Sequence, residues 1–412
     1  MHDHRRLGRE LGLFDTDPLM GAGLPYLLPA GAVIRHEIEE YVRAAEQQAG
    51  YQHVYSPVLG KRELYEISGH WDHYRDGMYP AMELGAEQVV LRPSLCPHHA
   101  LIFRSRGRSY RELPLRLAEL GGQYRAELSG AVGGLTRVRG MQLNDAHIFC
   151  ELDQVEAEAA GALAMIRQAY RDLGIEAARF RLSLASPAAK YVGSEEIWDR
   201  ATEVLRAVLD GAGLAYTAEE GEAAFYGPKI DVQVTDSAER EVSLSTVQVD
   251  FYQSERFGLE YTGADGGRHR PVMVHRSIVG SIERAMAHLI DVHGGAFPPW
   301  LAPVQLVVLP ITGAELAAAE ALAAAARVAG LRAEVARPDA GSLGARIREY
   351  RLVPYQAVLG PAEVSAGEVA LRLRDGAKLP PMAPAELVSG VSAAVRARGT
   401  DLWPARPVAA VC

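Results

Sequence analysis

Side chains that can do polar chemistry are concentrated between Cys96 and Cys150. This stretch reads CPHHALIFRSRGRSYRELPLRLAELGGQYRAELSG and later RVRGMQLNDAHIFC, so an otherwise apolar run contains a thiol, three histidines, an Arg-x-Glu pair and an Asp-x-His pair. Arg125 and Glu127 follow an apolar alternation that begins at Leu115, and period-two alternation predicts a strand with both side chains on one face. A sheet face with these two charges suits a charged, hydrogen-bonding substrate such as a nucleotide.

Cys96, His147 and His275 are candidate zinc ligands. Three protein ligands with an open fourth position would make a catalytic or substrate-binding site, whereas a structural site is closed by four. The three residues are far apart in the sequence and no C-x-x-C is present, so spacing alone favours a buried thiol and two hydrogen-bonded histidines. His98 and His99 are further candidate ligands on the same chemical grounds.

Other charged residues have both a functional and a structural interpretation. Arg125 and Glu127 could form an ordinary cross-strand ion pair, and Arg284 in the sequence GSIER could pair with an acidic residue one helical turn away. Lys229 ends the turn FYGPK and is either solvated or a point charge for a phosphate or carboxylate. The sequence contains no Walker A loop and no strand–GxGxxG–helix unit, so a nucleotide would bind without those devices.

Composition predicts a soluble globular protein of two or three domains. The 412 residues are 48% hydrophobic and 23% charged, and one hydrophobic core rarely serves so long a chain. No apolar run would span a bilayer, and MHDHRRLGRELGLF does not continue into the apolar segment of a signal peptide. Three cysteines, an odd number, predict a reducing, cytoplasmic compartment without a disulfide framework. The net charge of −9 argues against a protein that coats DNA and limits an RNA partner to a local basic face.

The elements that must position these side chains begin with an amphipathic helix over residues 31–49, where apolar residues recur at helical spacing. We expect a strand that ends at Ser56-Pro57, a loop at 69–71 and a strand at 87–92. Helices are predicted over 153–173, 197–212 and 277–292, and strands over 179–185 and at the runs IDVQV and SLSTVQVDF. Long strand runs with helices between them predict an antiparallel sheet in an α+β domain.

A second domain is predicted after the proline-containing segment FPPWLAPVQ, residues 297–305, which is typical of a linker. Beyond it, strands at LVVLPI, LRAEVA, YQAVLG and EVALRLR alternate with helices over 313–329, 344–351 and 384–398. This alternation predicts a small α/β domain with a mainly parallel sheet. The tail from residue 398 to 412 is predicted to be irregular.

Taken together, these segments resemble the threonyl-tRNA synthetases, a family of class II aminoacyl-tRNA synthetases. The resemblance covers nearly the whole chain and is carried by motifs in the family's order: DHRRLGRELGLF, SGHWDHYRDGMY, CPHHALIF, SYRELPLRLAELG, RVRG, DAHIF, FYGPKID, TVQVDF, VMVHRSIVGSIER and FPPWLAPVQ. It implies a class II α+β catalytic domain in residues 1–299, an antiparallel sheet flanked by helices. A small anticodon-binding-like α/β domain follows in residues 300–412.

The resemblance implies an ATP site. Arg125 would contact the α-phosphate, Glu127 the adenine amino group, and Arg284 the adenine and the γ-phosphate. The full implied sets are Arg125, Glu127, Arg137, Met141, Gln248 and Arg284 for ATP, and Arg125, Lys229 and Arg284 for catalysis. Mg²⁺ is the implied companion of the phosphates.

The resemblance also implies an amino acid site beside a metal. Cys96, His147 and His275 match the family's three Zn²⁺ ligands, and Asp145 matches the aspartate that accepts a hydrogen bond from the threonine hydroxyl. A site built for a hydroxyl excludes valine far better than an apolar pocket does. The amino acid set comprises Asp145, Tyr226, Lys229, Gln248, Ser94, Leu143 and Ser243.

The implied reaction has two steps. The threonine carboxylate attacks the ATP α-phosphate, pyrophosphate leaves, and a terminal ribose hydroxyl of threonine-specific tRNA then attacks the carbonyl of the adenylate. Pro57 matches a proline at the family's homodimer interface, while Glu363 and Arg372 match anticodon-contacting positions. The family's N-terminal editing domain has no counterpart in the sequence, so we expect serine to be misactivated without correction in cis, because one methyl group gives only about 1–3 kcal/mol of discrimination.

Several positions depart from the family's pattern. The family usually has Met-Asn-Cys-Pro-Gly-His where this chain has SLCPHH, and Leu143 stands where Gln is usual. Ser243 and Ser245 replace a Gln and a Gly, and Met141 replaces a Phe, although a thioether can still lie against adenine. The segment RPDAGSLGARIREYRLVPY lacks the usual Asn, which bears on anticodon reading. Neutral drift and altered substrate recognition both explain these changes.

Three functions follow for comparison. The first is an editing-deficient threonine–tRNA ligase, which rests on the complete arginine, glutamate and metal sets. The second is a synthetase-like activator of threonine or another β-hydroxy or β-amino acid in secondary metabolism, with or without tRNA, which rests on the departures above. The third is a non-catalytic binder of tRNA or of a synthetase, which the retained adenylation residues disfavour.

Overall fold

The computed structural model describes residues 2–186 and 191–403. None of the helices in these ranges has the length and apolar character needed to cross a bilayer. The helices are α1 (His4–Glu10), α2 (Pro29–Gln48), α3 (Arg62–Ile67), α4 (His70–His73), α5 (Cys96–Arg104), α6 (Val155–Leu173), α7 (Glu195–Gly211), α8 (Tyr252–Arg256), α9 (Ile282–His293), α10 (Leu316–Val328), α11 (Leu343–Glu349), α12 (Pro361–Ala366) and α13 (Pro384–Arg396). The strands are β1 (Phe14–Asp15), β2 (Tyr26–Leu27), β3 (Gln52–His53), β4 (Leu59–Lys61), β5 (Met82–Leu84), β6 (Glu87–Leu91), β7 (Leu115–Tyr124), β8 (Gly140–Cys150), β9 (Arg179–Leu184), β10 (Tyr216–Glu220), β11 (Lys229–Thr235), β12 (Glu241–Asp250), β13 (Tyr261–Thr262), β14 (Arg268–His269), β15 (Val272–Ser277), β16 (Leu306–Pro310), β17 (Ala333–Val335), β18 (Tyr355–Leu359) and β19 (Ala370–Leu373).

A large, mostly antiparallel sheet organises the first three hundred residues. Within the described chain its strand order is β10-β9-β11-β12-β15-β8-β7-β3, and only the outer pairs β10–β9 and β3–β7 are parallel. Side chains of α2, α6, α7 and α9 form the main core with one face of this sheet. Because side chains alternate along a strand, Ala146 and Ile148 of β8 enter that core while Asp145 and His147 face the other way. The expected α+β fold with an antiparallel sheet is confirmed.

The second sheet has the order β17-β16-β18-β19, and its core is separate from the first. Strand β16 runs parallel to both β17 and β18, while β19 is antiparallel to β18. Helices α10 and α13 pack against one another and contribute to this core. The expectation of a small, mainly parallel α/β domain is confirmed.

Three element predictions are wrong for identifiable reasons. The strand expected to end at Ser56-Pro57 is only β3, because the carbonyls of Ser56 and Pro57 accept hydrogen bonds from Arg92 and not from a neighbouring strand. The loop expected at 69–71 contains the start of α4, which follows Gly69 in the left-handed region at φ 79°. The helix expected over 277–292 is α9 alone: it begins after Ser281, whose side chain accepts from the Arg284 amide. Ser277 is the last residue of β15, and residues 278–280 form a bend between the strand and the helix.

Residues 297–305 form no helix or strand, which agrees with the expected linker. They are nevertheless buried: Trp300 and Leu301 pack in the main core, and the Trp300 indole donates to the Asp172 carbonyl. Arg332 of the second domain donates to the carbonyls of Trp300 and Ala302. The linker is therefore a packed joint. The irregular tail expected from residue 398 forms no helix or strand through residue 403, and its remainder lies outside the described residues.

Candidate active site

One cavity of about 290 Å³ gathers most of the residues singled out in the sequence. It opens on the face of the large sheet opposite the main core, where β7, β8, β12 and β15 lie side by side. The candidate residues that line it are Ser94, Cys96, Arg125, Met141, Leu143, Asp145, His147, Tyr226, Lys229, Ser243, Gln248, His275 and Arg284. Residues separated by up to about half the chain are thus brought to one wall by strand pairing.

Cys96, His147 and His275 form a compact group in which the candidate ligand atoms all lie within 4.8 Å of one another. His147 and His275 are direct cross-strand partners on β8 and β15, and Cys96 is the first residue of α5. All three are buried, and burial holds the pKa of the Cys96 thiol well above its usual value and that of His147 well below. A neutral imidazole is the form that can donate a lone pair to a metal.

In each of the two histidines that face the proposed metal, one ring nitrogen is hydrogen-bonded to a side chain on the side away from the other candidate ligands. His147 Nδ1 lies 2.8 Å from His99 Nδ1, and His275 Nε2 lies 2.8 Å from the Asp250 carboxylate. One nitrogen on each ring therefore remains for a metal, together with the Cys96 sulfur. One sulfur and two imidazole nitrogens suit zinc, and the three donors leave a coordination position for a substrate. The site fits the metal that the sequence suggested.

His98 and His99 do not join this group. His99 supports His147 from behind, while neither ring nitrogen of His98 has a hydrogen-bond partner among the described side chains. Burial, together with the charge of Arg92, lowers the pKa of His98 to about 4. His98 is therefore an uncharged core residue next to the site, and the choice between the five candidate ligands falls on Cys96, His147 and His275.

The part of the cavity beside the metal group is polar on one side and apolar on the other. Leu143, Asp145 and His147 alternate along β8 and share the cavity face, as the alternation predicts. Burial raises the pKa of Asp145, and Gln123 donates to it weakly, at 3.4 Å. The hydroxyl of Tyr226 donates to Gln248 Oε1 at 2.8 Å. This arrangement can recognise a small ligand with a hydroxyl.

Arginine side chains define the other part of the cavity. Arg284 donates from Nη1 to the Ser243 carbonyl at 2.9 Å and from Nε to the Thr136 carbonyl at 3.2 Å. Burial and the nearby charges of Arg125 and Arg137 lower its pKa. Arg125 and Arg284 are half-buried and Arg137 is exposed beside them. These neighbouring positive charges attract anions, so this region can take phosphate groups.

Arg125 and Glu127 are not on a strand, which corrects the expectation. Strand β7 ends at Tyr124, and the Glu127 amide then bonds back to the Arg125 carbonyl and breaks the alternation. Glu127 pairs with Arg137 at 2.7 Å, so the supposed Arg125–Glu127 ion pair is replaced by a different one. Glu127 and Arg137 line an adjoining cavity of about 550 Å³ that also contains Arg125 and Arg284.

Ser243 and Ser245 lie on opposite faces of β12, although two residues apart would normally share one. The pairing with β11 slips at this point because of a β-bulge around Leu244. Ser243 lines the cavity and accepts from Gln233 Nε2, whereas Ser245 is buried against Tyr170. Only the first of the two substitutions therefore bears on ligand contacts.

Lys229 is not a solvated turn lysine, and its position in the cavity wall is compatible with a point charge for a ligand. Its ammonium pairs with the Asp231 carboxylate at 2.9 Å, and Arg181 and Ser183 donate to the same carboxylate. Lys229 still lines the cavity, at the start of β11. The Lys229 ammonium therefore shares the Asp231 carboxylate with Arg181, so its positive charge is only partly neutralised.

Glu363 and Arg372 lie in the second domain. The Glu363 carboxylate accepts from the Gly360 amide at the start of α12, and Arg372 is on β19. Neither lines the cavity described above.

Sequence reasoning missed the residues that support the ligands. Gln123 has a signal, since it lies two residues before Arg125 on the alternating run and faces the cavity. Asp250 has none, because it acts through a long-range hydrogen bond to a histidine on another element. His99 was a candidate ligand in the sequence, but its role in supporting His147 depends on a similar long-range hydrogen bond.

Comparison with known proteins matches both parts of the chain. Residues 81–293 match the tRNA synthetase class II core domain (G, H, P, S and T), and residues 305–394 match the anticodon binding domain. A solved structure, the RNA binding domain of threonyl-tRNA synthetase from Cryptosporidium parvum Iowa II, is similar with a TM-score of 0.89 and 33% identity. The match covers 97% of this chain and 99% of that one.

Curated relatives are similar over almost the whole chain. A threonine–tRNA ligase of Geobacillus sp. (strain WCH70) is 48% identical over 96% of the chain, and threonine–tRNA ligase 1 of Bacillus subtilis (strain 168) is 49% identical over 90%. The chain spans only 62% and 58% of these two relatives' own lengths.

Proposed function

The chain belongs to the class II tRNA synthetases, and on that premise we propose that it is a threonine–tRNA ligase. It activates threonine with ATP and transfers the threonyl group to tRNA. One observation carries the proposal: the donor set Cys96, His147 and His275 shares a cavity with Arg125 and Arg284. A hydroxyl-recognising end and a phosphate-binding end in one cavity are what an amino acid adenylate requires.

The amino acid binds at the end formed by Ser94, Leu143, Asp145, Tyr226, Lys229, Gln248 and Ser243. Cys96, His147 and His275 would hold zinc there, and the ion when bound supplies a Lewis acid for the amino group and hydroxyl of threonine. Asp145 accepts a hydrogen bond from the threonine hydroxyl. Valine would leave this buried carboxylate with only the weak hydrogen bond from Gln123, which costs more than a missing apolar contact.

MgATP binds at the arginine end. Arg125 contacts the α-phosphate, Glu127 and Met141 lie at the adenine, and Arg137 and Arg284 neutralise the outer phosphates. The threonine carboxylate attacks the α-phosphorus, and pyrophosphate leaves from the opposite side. Arg284, already fixed by the carbonyls of Thr136 and Ser243, stabilises the charge of this transition state without reorganising.

The remaining parts of the proposal concern the whole chain. We place the catalytic domain in residues 1–299 and the anticodon-binding domain in 300–412, where Glu363 and Arg372 contact tRNA. Homodimer formation is supported by exposed apolar side chains around Pro57: Tyr55, Val58 and Leu59 are 77%, 39% and 42% exposed. A reducing cytoplasm suits both the free Cys96 thiol and the tRNA substrate.

Threonine-dependent exchange of pyrophosphate into ATP, followed by charging of threonine-specific tRNA, tests the proposal. We expect threonine to be the best substrate, with serine about 10- to 200-fold worse and valine worse still. The Asp145→Asn variant should lose most of the discrimination against valine, because leaving a neutral amide oxygen without a donor costs less than leaving a carboxylate without one. A different amino acid as the best substrate, or exchange without any charging of tRNA, would point to the secondary-metabolism alternative and contradict the proposal.

A further inference from the structure

We propose that Glu119 and His99 form a positioning relay that fixes His147 in the tautomer a metal ion needs. The inference rests on the proposed metal site and adds two residues that do not touch substrate or metal. We call the three residues the Glu119–His99–His147 relay. Its members come from β7, α5 and β8.

Proton positions follow from the hydrogen-bond chain. The carboxylate of Glu119 can only accept, so His99 Nε2, 3.3 Å from it, carries the proton. His99 Nδ1 then has a lone pair and must accept from its neighbour 2.8 Å away, His147 Nδ1. His147 Nε2 is left without a proton, which makes it the nitrogen with a free lone pair.

Glu119 is anchored strongly enough to act as the fixed end of this chain. It accepts from the Ser56 hydroxyl at 2.7 Å and from Arg92 Nη2 at 3.0 Å, and it is 3% exposed. Burial alone would raise the pKa of Glu119, but the bonds from His99 and Ser56 and the charge of Arg92 lower it to about 2. The acceptor end is therefore ionised at any pH at which the protein would work.

The two metal-facing histidines are supported differently. His275 is held directly by Asp250, whose carboxylate accepts from the amides of Tyr252 and Gln253. His147 depends on an intermediate imidazole that can transmit either of two tautomers. The direction of the whole chain is set only by Glu119, so the relay explains why a buried carboxylate, a serine and an arginine converge there.

Zinc affinity of three single variants tests the relay, measured by competition with a chelator. His99→Leu removes the acceptor for His147 Nδ1, and we expect zinc to bind about 10- to 100-fold more weakly. His99→Gln keeps both bonds, because its amide nitrogen can donate to Glu119 while its amide oxygen accepts from His147, and should restore most of the affinity. His98→Leu is the matched control: His98 is the adjacent helix residue, 5% exposed, and is not part of the relay.

A second measurement needs no metal. Nitrogen-15 NMR of histidine-labelled apoprotein should show His147 protonated at Nδ1, and the His99→Leu variant should lose this preference. Protonation of His147 at Nε2 in the wild type, or an unchanged zinc affinity in His99→Leu, overturns the relay.

The same samples separate the relay from the proposed function. If wild-type protein exchanges pyrophosphate with threonine and binds one zinc ion while His99→Leu binds it equally well, the relay is wrong and the function stands. If the wild type binds no zinc, the metal site and the relay both fail, and the exchange assay alone decides whether threonine is activated.

Discussion

At the scale of single residues, the cavity wall combines polar side chains such as Asp145 with the apolar side chain of Leu143. Alternation along β8 predicts that Leu143 and Asp145 face the same way, and they do. The bulge that separates Ser243 from Ser245 could not be predicted, because it depends on how β12 pairs with β11. The same holds for Asp250 and His99, whose partners are distant in sequence. Sequence therefore predicts which residues face the cavity better than which residues support them.

Arg284→Lys should slow the adenylation step strongly. Lysine keeps the charge but lacks the planar fork that bonds the carbonyls of Thr136 and Ser243. We expect kcat for pyrophosphate exchange to fall on the order of 100-fold while KM for threonine changes little. Arg268→Lys is the control, because the Arg268 side chain is 76% exposed, pairs with Glu260 and lines neither cavity. Equal effects of the two substitutions would show that Arg284 is not a phosphate contact.

Leu143→Gln tests whether the departures from the family pattern alter recognition. A glutamine amide placed beside Asp145 gives a bound amino acid one further hydrogen bond, worth about 1 kcal/mol. KM for threonine in the exchange assay should fall about fivefold, which is what that energy corresponds to. Leu143→Met keeps an apolar side chain of similar volume and should leave KM unchanged. A rise in KM for Leu143→Gln would mean that Leu143 is itself part of the amino acid pocket's fit.

At the scale of elements, segments with a clear hydrophobic period were predictable, whereas boundaries that depend on pairing with distant strands were not. The amphipathic pattern of 31–49 gives α2, whose Ile34, Ile38 and Val42 are fully buried. The start of α9 could not be seen, because β15 is a strand only through its pairing with β8 and β12. Helix α5, which presents Cys96, carries no clear helical period in the sequence and was also missed.

Glu46→Gln should destabilise the chain by about 3–5 kcal/mol. Glu46 of α2 and Arg276 of β15 form an ion pair at 2.7 Å with both side chains 0% exposed, so the substitution leaves a buried arginine uncompensated. Equilibrium unfolding in urea measures the effect. Glu39→Gln, at a helix-surface pair with Arg35, should change stability by less than about 1 kcal/mol.

The same pair predicts a pH dependence. Burial by itself raises the pKa of Glu46, but Arg276, His53 and Asn144 outweigh it and lower the pKa below its usual value. Its contribution to stability is therefore complete above the ordinary glutamate pKa of about 4.3 and is lost as the pH falls below that value. The Glu46→Gln variant should lose less stability than the wild type over this acidic range, and parallel losses would contradict the assignment.

At the scale of the whole molecule, the exposed apolar segment at residues 55–59 predicts self-association. Leu59→Glu would place a charge in the proposed apolar interface and should convert the proposed homodimer to a monomer in sedimentation velocity. Val328→Glu is the control, since Val328 is 91% exposed on α10 of the second domain. A wild-type chain that sediments as a monomer at micromolar concentration would rule out the homodimer.

The packed joint at residues 297–305 has a geometric consequence for the proposed tRNA substrate. Arg374 donates to the Phe297 carbonyl at 2.6 Å, and Gln305 is fully buried between the two cores. A joint fixed in this way holds the two domains at one separation and in one relative orientation. For the proposed tRNA substrate, we expect that only an RNA whose acceptor end and anticodon are separated by that distance reaches both domains, so that the length of the RNA is selected independently of its bases.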